Sequence, residues 1–138
     1  MAYILIVDDD PAIRLLLENL LGGAGYRTKA VTGGQEALDF ITGAAPDVIV
    51  LDLMMPEMDG WQVLKELMSR ERTRRIPVII YSAVPDPEIS QLAFERGAKD
   101  FWLKGKINFP EMVNRLQTIL HPSNDSNAAT GGGDLGNR

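Results

Sequence analysis

The chain contains four uninterrupted apolar runs, Tyr3–Val7, Val48–Leu51, Val78–Tyr81 and Phe101–Leu103, and each stops at a polar side chain: Asp8, Asp52, Ser82 or Lys104. Runs this short cannot be helices and suit strands buried on both faces. Between them lie segments of helical period. Asp10-Pro11 supplies an N-cap and a proline at the first helical position, Ile13, Leu16, Leu17, Leu20 and Leu21 follow at helical spacing, and Gly22-Gly23 ends the run. A further strand is expected at Lys29–Thr32 and a helix over Gln35–Ile41. Val63, Leu64, Leu67 and Met68 mark a helix entered through Asp59-Gly60, with a basic exit at Arg70–Arg75 suited to its C-terminal dipole. Pro87–Arg96, ended by Gly97, is the fourth helix. The last is opened by Asn108 and lined by Met112, Val113, Leu116, Ile119 and Leu120. Five strands alternating with five helices predict an α/β fold, a doubly wound five-stranded parallel sheet joined by right-handed crossovers.

The remaining composition narrows the function. The 138 residues suffice for one domain with its own core, expected over 1–121; residues 122–138, with three consecutive glycines and one lone leucine, read as a disordered tail or linker stub. A net charge of −5 argues against a nucleic-acid surface. The absence of cysteine excludes thiolate catalysis and Cys-ligated zinc. With no signal peptide and no apolar run near the roughly 20 residues of a membrane span, a cytoplasmic location without membrane contact is expected.

In a doubly wound sheet the site lies at the carboxyl ends of the strands. That edge gathers Asp8, Asp9 and Asp10, then Asp52, Ser82 and Lys104. Carboxylates 4 Å apart repel by roughly 4 kcal/mol per pair at an effective dielectric of about 20. A divalent cation relieves that repulsion, and hard oxygen ligands without His or Cys favour Mg²⁺, or Mn²⁺ in its place. A carboxylate beside a metal, a hydroxyl and an ammonium suits nucleophilic attack on a phosphoryl group.

From about Tyr3 to Leu120 the chain resembles the receiver domains of two-component response regulators, chemotaxis regulators among them. The motifs are ILIVDDDPAIR, DVIVLDLMMPEMDG, PVIIYSA and GAKDFWLK, in the order and spacing of that family. The resemblance implies a flavodoxin-like (βα)5 fold with strand order 2-1-3-4-5. It implies that Asp52 is the phosphoacceptor, served by a histidine kinase, a phosphotransfer protein or a small phosphodonor. Asp9 resembles the direct metal ligand, Asp8 the acid that holds metal-bound water, and Met54 the residue whose main-chain carbonyl completes the shell. Ser82 matches the hydroxyl that moves onto the phosphoryl group, Lys104 the lysine that pairs with it, and Phe101 the switch aromatic. The readout face would be the fourth helix, fifth strand and fifth helix, meeting a downstream effector, a covalently linked output domain or a second copy in a phosphorylation-dependent homodimer. Such a domain is a regulatory phosphoacceptor and not an enzyme acting on an external substrate. The family's proline after the lysine is replaced here by Gly105, so a trans Lys104–Gly105 peptide is expected.

Plainer roles compete for each residue. Asp10 is first a helix cap, Met54 and Met55 are packing side chains, His121 partners the end of the last helix, and partial burial is expected for Trp61 and Trp102. The main rival is a haloacid-dehalogenase-like Mg²⁺ phosphatase using Asp8 as nucleophile and Asp10 as acid. It would need a late acidic pair, whereas the late segment offers only Asp100. A calcium loop is rejected, because DLMMPEMDGWQV lacks oxygen side chains at its third and fifth positions and glycine at its sixth.

Overall fold

The computed structural model describes residues 2–122. The tail expected over 122–138 lies outside them from residue 123 onward. A first compact unit runs to Ile107 and a second begins at Asn108. The first carries β1 (Tyr3–Val7), α1 (Pro11–Gly23), β2 (Arg27–Val31), α2 (Gly34–Gly43), β3 (Val48–Leu51), α3 (Gly60–Ser69), β4 (Val78–Ser82), α4 (Pro87–Glu95) and β5 (Asp100–Leu103). All strand pairs are parallel, in the order β2-β1-β3-β4-β5. The five-stranded doubly wound sheet read from the sequence is thus present.

Both faces of the central strands are buried, which is why their sequences are continuous apolar runs and not alternating ones. Leu5 and Val7 of β1, Ile49 and Leu51 of β3 and Val78 and Ile80 of β4 share one core with Leu38 and Ile41 of α2, Val63, Leu64 and Leu67 of α3, and Ala93 of α4. The intervening Ile4, Ile6, Val48, Val50, Ile79 and Tyr81 face the other side by strand alternation. Leu17 and Leu21 of α1, fully buried, lie outside the first core and belong to this second side. Each such side chain contributes about 1.5–3 kcal/mol of hydrophobic free energy on burial.

The helix starts follow their caps. Asp10 accepts from the Ala12 amide at 2.9 Å, and Asp59 and Gln62 form a reciprocal capping box, each accepting at 3.0 Å from the other's backbone. In the second unit, α5 (Phe109–Leu120) is capped by Asn108, which accepts from the Glu111 amide at 2.9 Å; Met112 and Leu116 are its buried residues.

Two expectations are corrected, the span of β2 and the burial of Trp102. Strand β2 begins at Arg27, not Lys29, and ends at Val31, not Thr32, because pairing with β1 sets its span (Tyr3↔Arg27 to Val7↔Val31). The basic exit of α3 stands where it was expected: α3 ends at Ser69, and the arginines occupy the turn that follows. Trp102 is fully buried, with its Nε1 donating to Asp100 Oδ2 at 3.0 Å, while Trp61 is partly buried as expected.

Candidate functional site

Strand register brings the expected residues to one edge of the first unit. Val7 and Leu51 are paired, so the next residue on each strand, Asp8 and Asp52, stand side by side, and the Asp52 amide donates to the Val7 carbonyl at 2.9 Å. Ser82 ends β4 opposite Leu103, and the Lys104 amide donates to the Ser82 carbonyl at 2.8 Å. Each polar group therefore hangs from the last rung of a rigid strand. The loop after Asp52 is set by Gly60, which opens α3. Its amide donates to the Leu53 carbonyl at 2.9 Å, and a Cβ there would collide with the Asp52 carbonyl. The Asp59-Gly60 pair is thus more than a turn signal. It lets α3 start against the backbone of Asp52.

Asp8 and Asp52 are buried, whereas Asp9 is exposed. One carboxylate oxygen from each of Asp8, Asp9 and Asp52 lies within 4.8 Å of the others. Lys104 enters from the far strand: its Nζ donates to Asp8 Oδ2 at 2.9 Å and lies 3.3 Å from Asp52 Oδ1. Burial, then the charge of Asp8, pushes the Asp52 carboxyl up to about 6; Lys104 and the Met54 amide, which donates to Asp52 Oδ1 at 3.4 Å, pull the other way. At neutral pH Asp52 is therefore mostly the carboxylate, yet a more basic one than a solvated aspartate.

The other expected residues take definite places. Ser82 is fully buried, and its Oγ accepts from the Val84 amide at 3.2 Å. Phe101 is half-buried and packs on the first core. Met55 packs as expected, but the Met54 side chain is 69% exposed, because it sits on the loop beyond the sheet edge. Gly105 adopts φ 81, in the left-handed region that favours glycine. Asp10 is exposed and serves as the helix cap, pointing its carboxylate at the α1 backbone and not into the acid cluster.

Two contributors escaped the sequence reading. Arg14 Nη1 donates to the Asp8 carbonyl at 2.8 Å and ties α1 to the acidic loop. Its signal was present, a basic residue one turn into a helix that follows clustered acids. Tyr81, almost fully buried, places its ring 5.4 Å from Lys104 Nζ. Nothing in the local sequence distinguishes it from an ordinary strand residue.

The comparisons agree with this geometry. The family profile for the response regulator receiver domain matches residues 4–117. A DNA-binding dual master transcriptional regulator of Synechocystis sp., RpaA, is 37% identical over 120 residues, which cover 87% of this chain and 49% of that protein. The chain spans less than half the length of the curated relatives first matched, from 20% to 49%. The solved chemotaxis protein CheY4 of Vibrio cholerae superposes with a TM-score of 0.80 at 31% identity, over 87% of this chain and 99% of that one. The receiver domain of the sensor histidine kinase PA1611 of Pseudomonas aeruginosa, solved with a magnesium ion in its active-site cleft, does so with a TM-score of 0.78 at 27% identity, over 86% and 97%. No similarity supports the phosphatase reading. The chain belongs to the response regulator receiver domain family, the phosphoryl-accepting switches of two-component signalling.

Proposed function

We propose that Asp52 is the phosphoacceptor, that Mg²⁺ is required, and that residues 1–121 form the receiver unit. The observation that carries this reading is the placement of one buried carboxylate, Asp52, beside Asp8 and 3.3 Å from the Lys104 ammonium at the end of a central strand. The donor set fits the metal: carboxylate oxygens of Asp8, Asp9 and Asp52 converge with no nitrogen or sulfur ligand, and the Met54 carbonyl follows Asp52 on the same loop. Mg²⁺ bound there supplies positive charge to the phosphoryl oxygens.

In the transfer, an Asp52 carboxylate oxygen attacks phosphorus, and the phosphorus bond to the donor breaks. From a phosphohistidine, the imidazole nitrogen leaves with the electron pair. Asp8 and Asp9 would hold the metal, and Lys104 transfers its interaction from Asp52 to the new phosphoryl oxygens. Ser82 gives up its Val84 contact to donate to the same oxygens, and Phe101 follows it inward. The Asp52 carboxylate is consumed stoichiometrically, so the domain assists only its own phosphorylation and dephosphorylation.

A protein donor, a histidine kinase or phosphotransfer protein, is supported by exposed apolar side chains on the segments that follow the acids in sequence: Leu15 and Leu16 on α1, and Met54. Output on α4 and β5 is supported by Phe94, 48% exposed on α4, and by the half-buried Phe101. The recipient is an effector protein, a linked output domain or a second copy in a phosphorylation-dependent homodimer. The length of the relatives fits a linked output domain. Location in the cytoplasm follows from the kinase partnership; no described helix is long and apolar enough to cross a membrane. The test is intact-mass measurement after incubation with acetyl phosphate. One added phosphoryl group with Mg²⁺ and none with a chelator is expected; equal labelling in both excludes the metal role.

A further inference from the structure

The turn after α3 carries charge opposite in sign to the chain. Residues 66–75 read ELMSRERTRR, and four arginines against two glutamates leave this segment at +2, whereas the whole chain is at −5. Two of the arginines are engaged: Arg70 Nη2 lies 2.8 Å from Glu66 Oε1, and Arg74 Nη2 lies 4.0 Å from Glu71 Oε2. Arg72 and Arg75 are exposed and have no ion pair among the described residues. The turn that displays them is a built one. Thr73 Oγ1, buried, donates to the Leu67 carbonyl at 2.7 Å, and the Arg74 amide donates to the Arg70 carbonyl at 3.0 Å.

In the same turn is a cleft of about 370 Å³, lined by Leu38, Ile41, Thr42 and Ala45, by Thr73 and Ile76, and by the charged Arg70, Glu71 and Arg72, with Glu71 turned to Arg74; Arg75 is not part of the lining. It lies at the C-terminal ends of α2 and α3 and the start of β4, the opposite end of the strands from Asp52. It shares no residue with the phosphoacceptor site.

We infer that this cleft is a docking site for an acidic segment of a partner protein, one that seats a large apolar side chain between α2 and Ile76 while its carboxylates meet Arg72 and Arg75. Charge complementarity selects an acidic partner, and the arginine fork pairs with carboxylates. The apolar part of the lining selects a partner with a side chain to bury, and the cleft has room for a leucine or phenylalanine. A nucleic acid is disfavoured, because two free arginines neutralise few phosphates and the chain as a whole repels a polyanion. A membrane surface is disfavoured, because the apolar surface is recessed and not protruding.

The probe is a fluorescein-labelled ten-residue peptide of glutamates with one central leucine, compared with the same peptide carrying alanine. Fluorescence anisotropy at low and at physiological salt is expected to show the leucine peptide binding about tenfold more tightly than the alanine one. The Arg72→Glu, Arg75→Glu variant is expected to weaken that binding at least about fivefold, and Arg72→Gln, Arg75→Gln to fall between it and the parent. Both variants change exposed side chains and should accept phosphate at Asp52 as the parent does, which keeps this inference separable from the reading of the phosphoacceptor site. No binding at millimolar peptide, equal binding of the two peptides, indifference to charge reversal, or tighter binding of duplex DNA or anionic vesicles would each overturn it.

Discussion

The Lys104 ammonium donates to Asp8 Oδ2 at 2.9 Å across 96 residues of sequence, and in doing so reaches Asp52 Oδ1 at 3.3 Å. One cation from the far strand thus serves two buried acids. Burial works against the ammonium, but the hydrogen bond to Asp8 and the charges of Asp52 and Asp8 outweigh it and raise its pKa above the ordinary lysine value. When no divalent ion is bound, Lys104 is the counter-charge of the pocket. A metal must share the acids with it.

Replacing Lys104 by alanine separates these roles. The variant is expected to be less stable in chelator by about 1–3 kcal/mol, the worth of a charge-assisted hydrogen bond to a buried acid. Its Mg²⁺ affinity should not fall, since a competitor has been removed. Partner engagement after phosphorylation should be impaired, because nothing then pairs with the phosphoryl oxygens. Calorimetric Mg²⁺ titration together with urea melts checks all but the last. Weakened Mg²⁺ binding would mean that Lys104 organises the acids instead of opposing the metal.

Asp52 gives the chain a pH dependence of definite sign. Its folded pKa, about 6, is above the ordinary 3.8. The protonated carboxyl therefore favours the folded state below pH 3.8, and this contribution is lost as pH rises through about 6. Stability in chelator should carry an Asp52 component that declines between about pH 4 and 7, by up to about 3 kcal/mol. Urea melts across this range should show the decline in the parent and not in Asp52→Asn. Parallel pH profiles would contradict the shift.

Much of this site was legible because each key residue terminates an apolar run. The position after the last strand residue is read directly from sequence, and the doubly wound topology brings those ends together. Edge strand β2 was harder. Arg27 and Lys29 interrupt its apolar pattern, which alternates only because it is half exposed, and its start is fixed by pairing with Tyr3. Also invisible was the double engagement of Lys104, because its two acids end other strands and the Tyr81 ring 5.4 Å from its Nζ has no local signature. The arginines after α3 were legible as a basic exit, but the turn they occupy was not, since Thr73 donating back to the Leu67 carbonyl has no local signature.

Mg²⁺ should raise the melting temperature of the chain, because it relieves repulsion among Asp8, Asp9 and Asp52 and binds only when they are folded together. At a hundredfold excess over the dissociation constant the gain is about 2.7 kcal/mol. Thermal melts with millimolar Mg²⁺ and with chelator measure it. An Asp9→Asn, Asp52→Asn variant should lose the difference; equal stabilisation in that variant would place the metal elsewhere.

The phosphorylated state should be long-lived. By family resemblance, the positions two beyond Asp52 and two beyond Ser82 border the approach of the hydrolytic water, and here they are Met54 and Val84. Their side chains are partly exposed, 69% and 37%, yet neither can hydrogen-bond a water into line behind the acyl phosphate. Decay after removal of the phosphodonor is expected to be at least about tenfold slower than in a Met54→Asn, Val84→Glu variant. Equal rates would show that the water is positioned by other groups.

The central claim is that Asp52, and not Asp8 or Asp10, takes the phosphoryl group. Parent, Asp52→Asn and Asp10→Asn proteins, each incubated with Mg²⁺ and acetyl phosphate and weighed intact, test it most directly. One added phosphoryl group on the parent and on Asp10→Asn, with none on Asp52→Asn, is the predicted result. Labelling of Asp52→Asn at the level of the parent, or loss of labelling in Asp10→Asn alone, would contradict it.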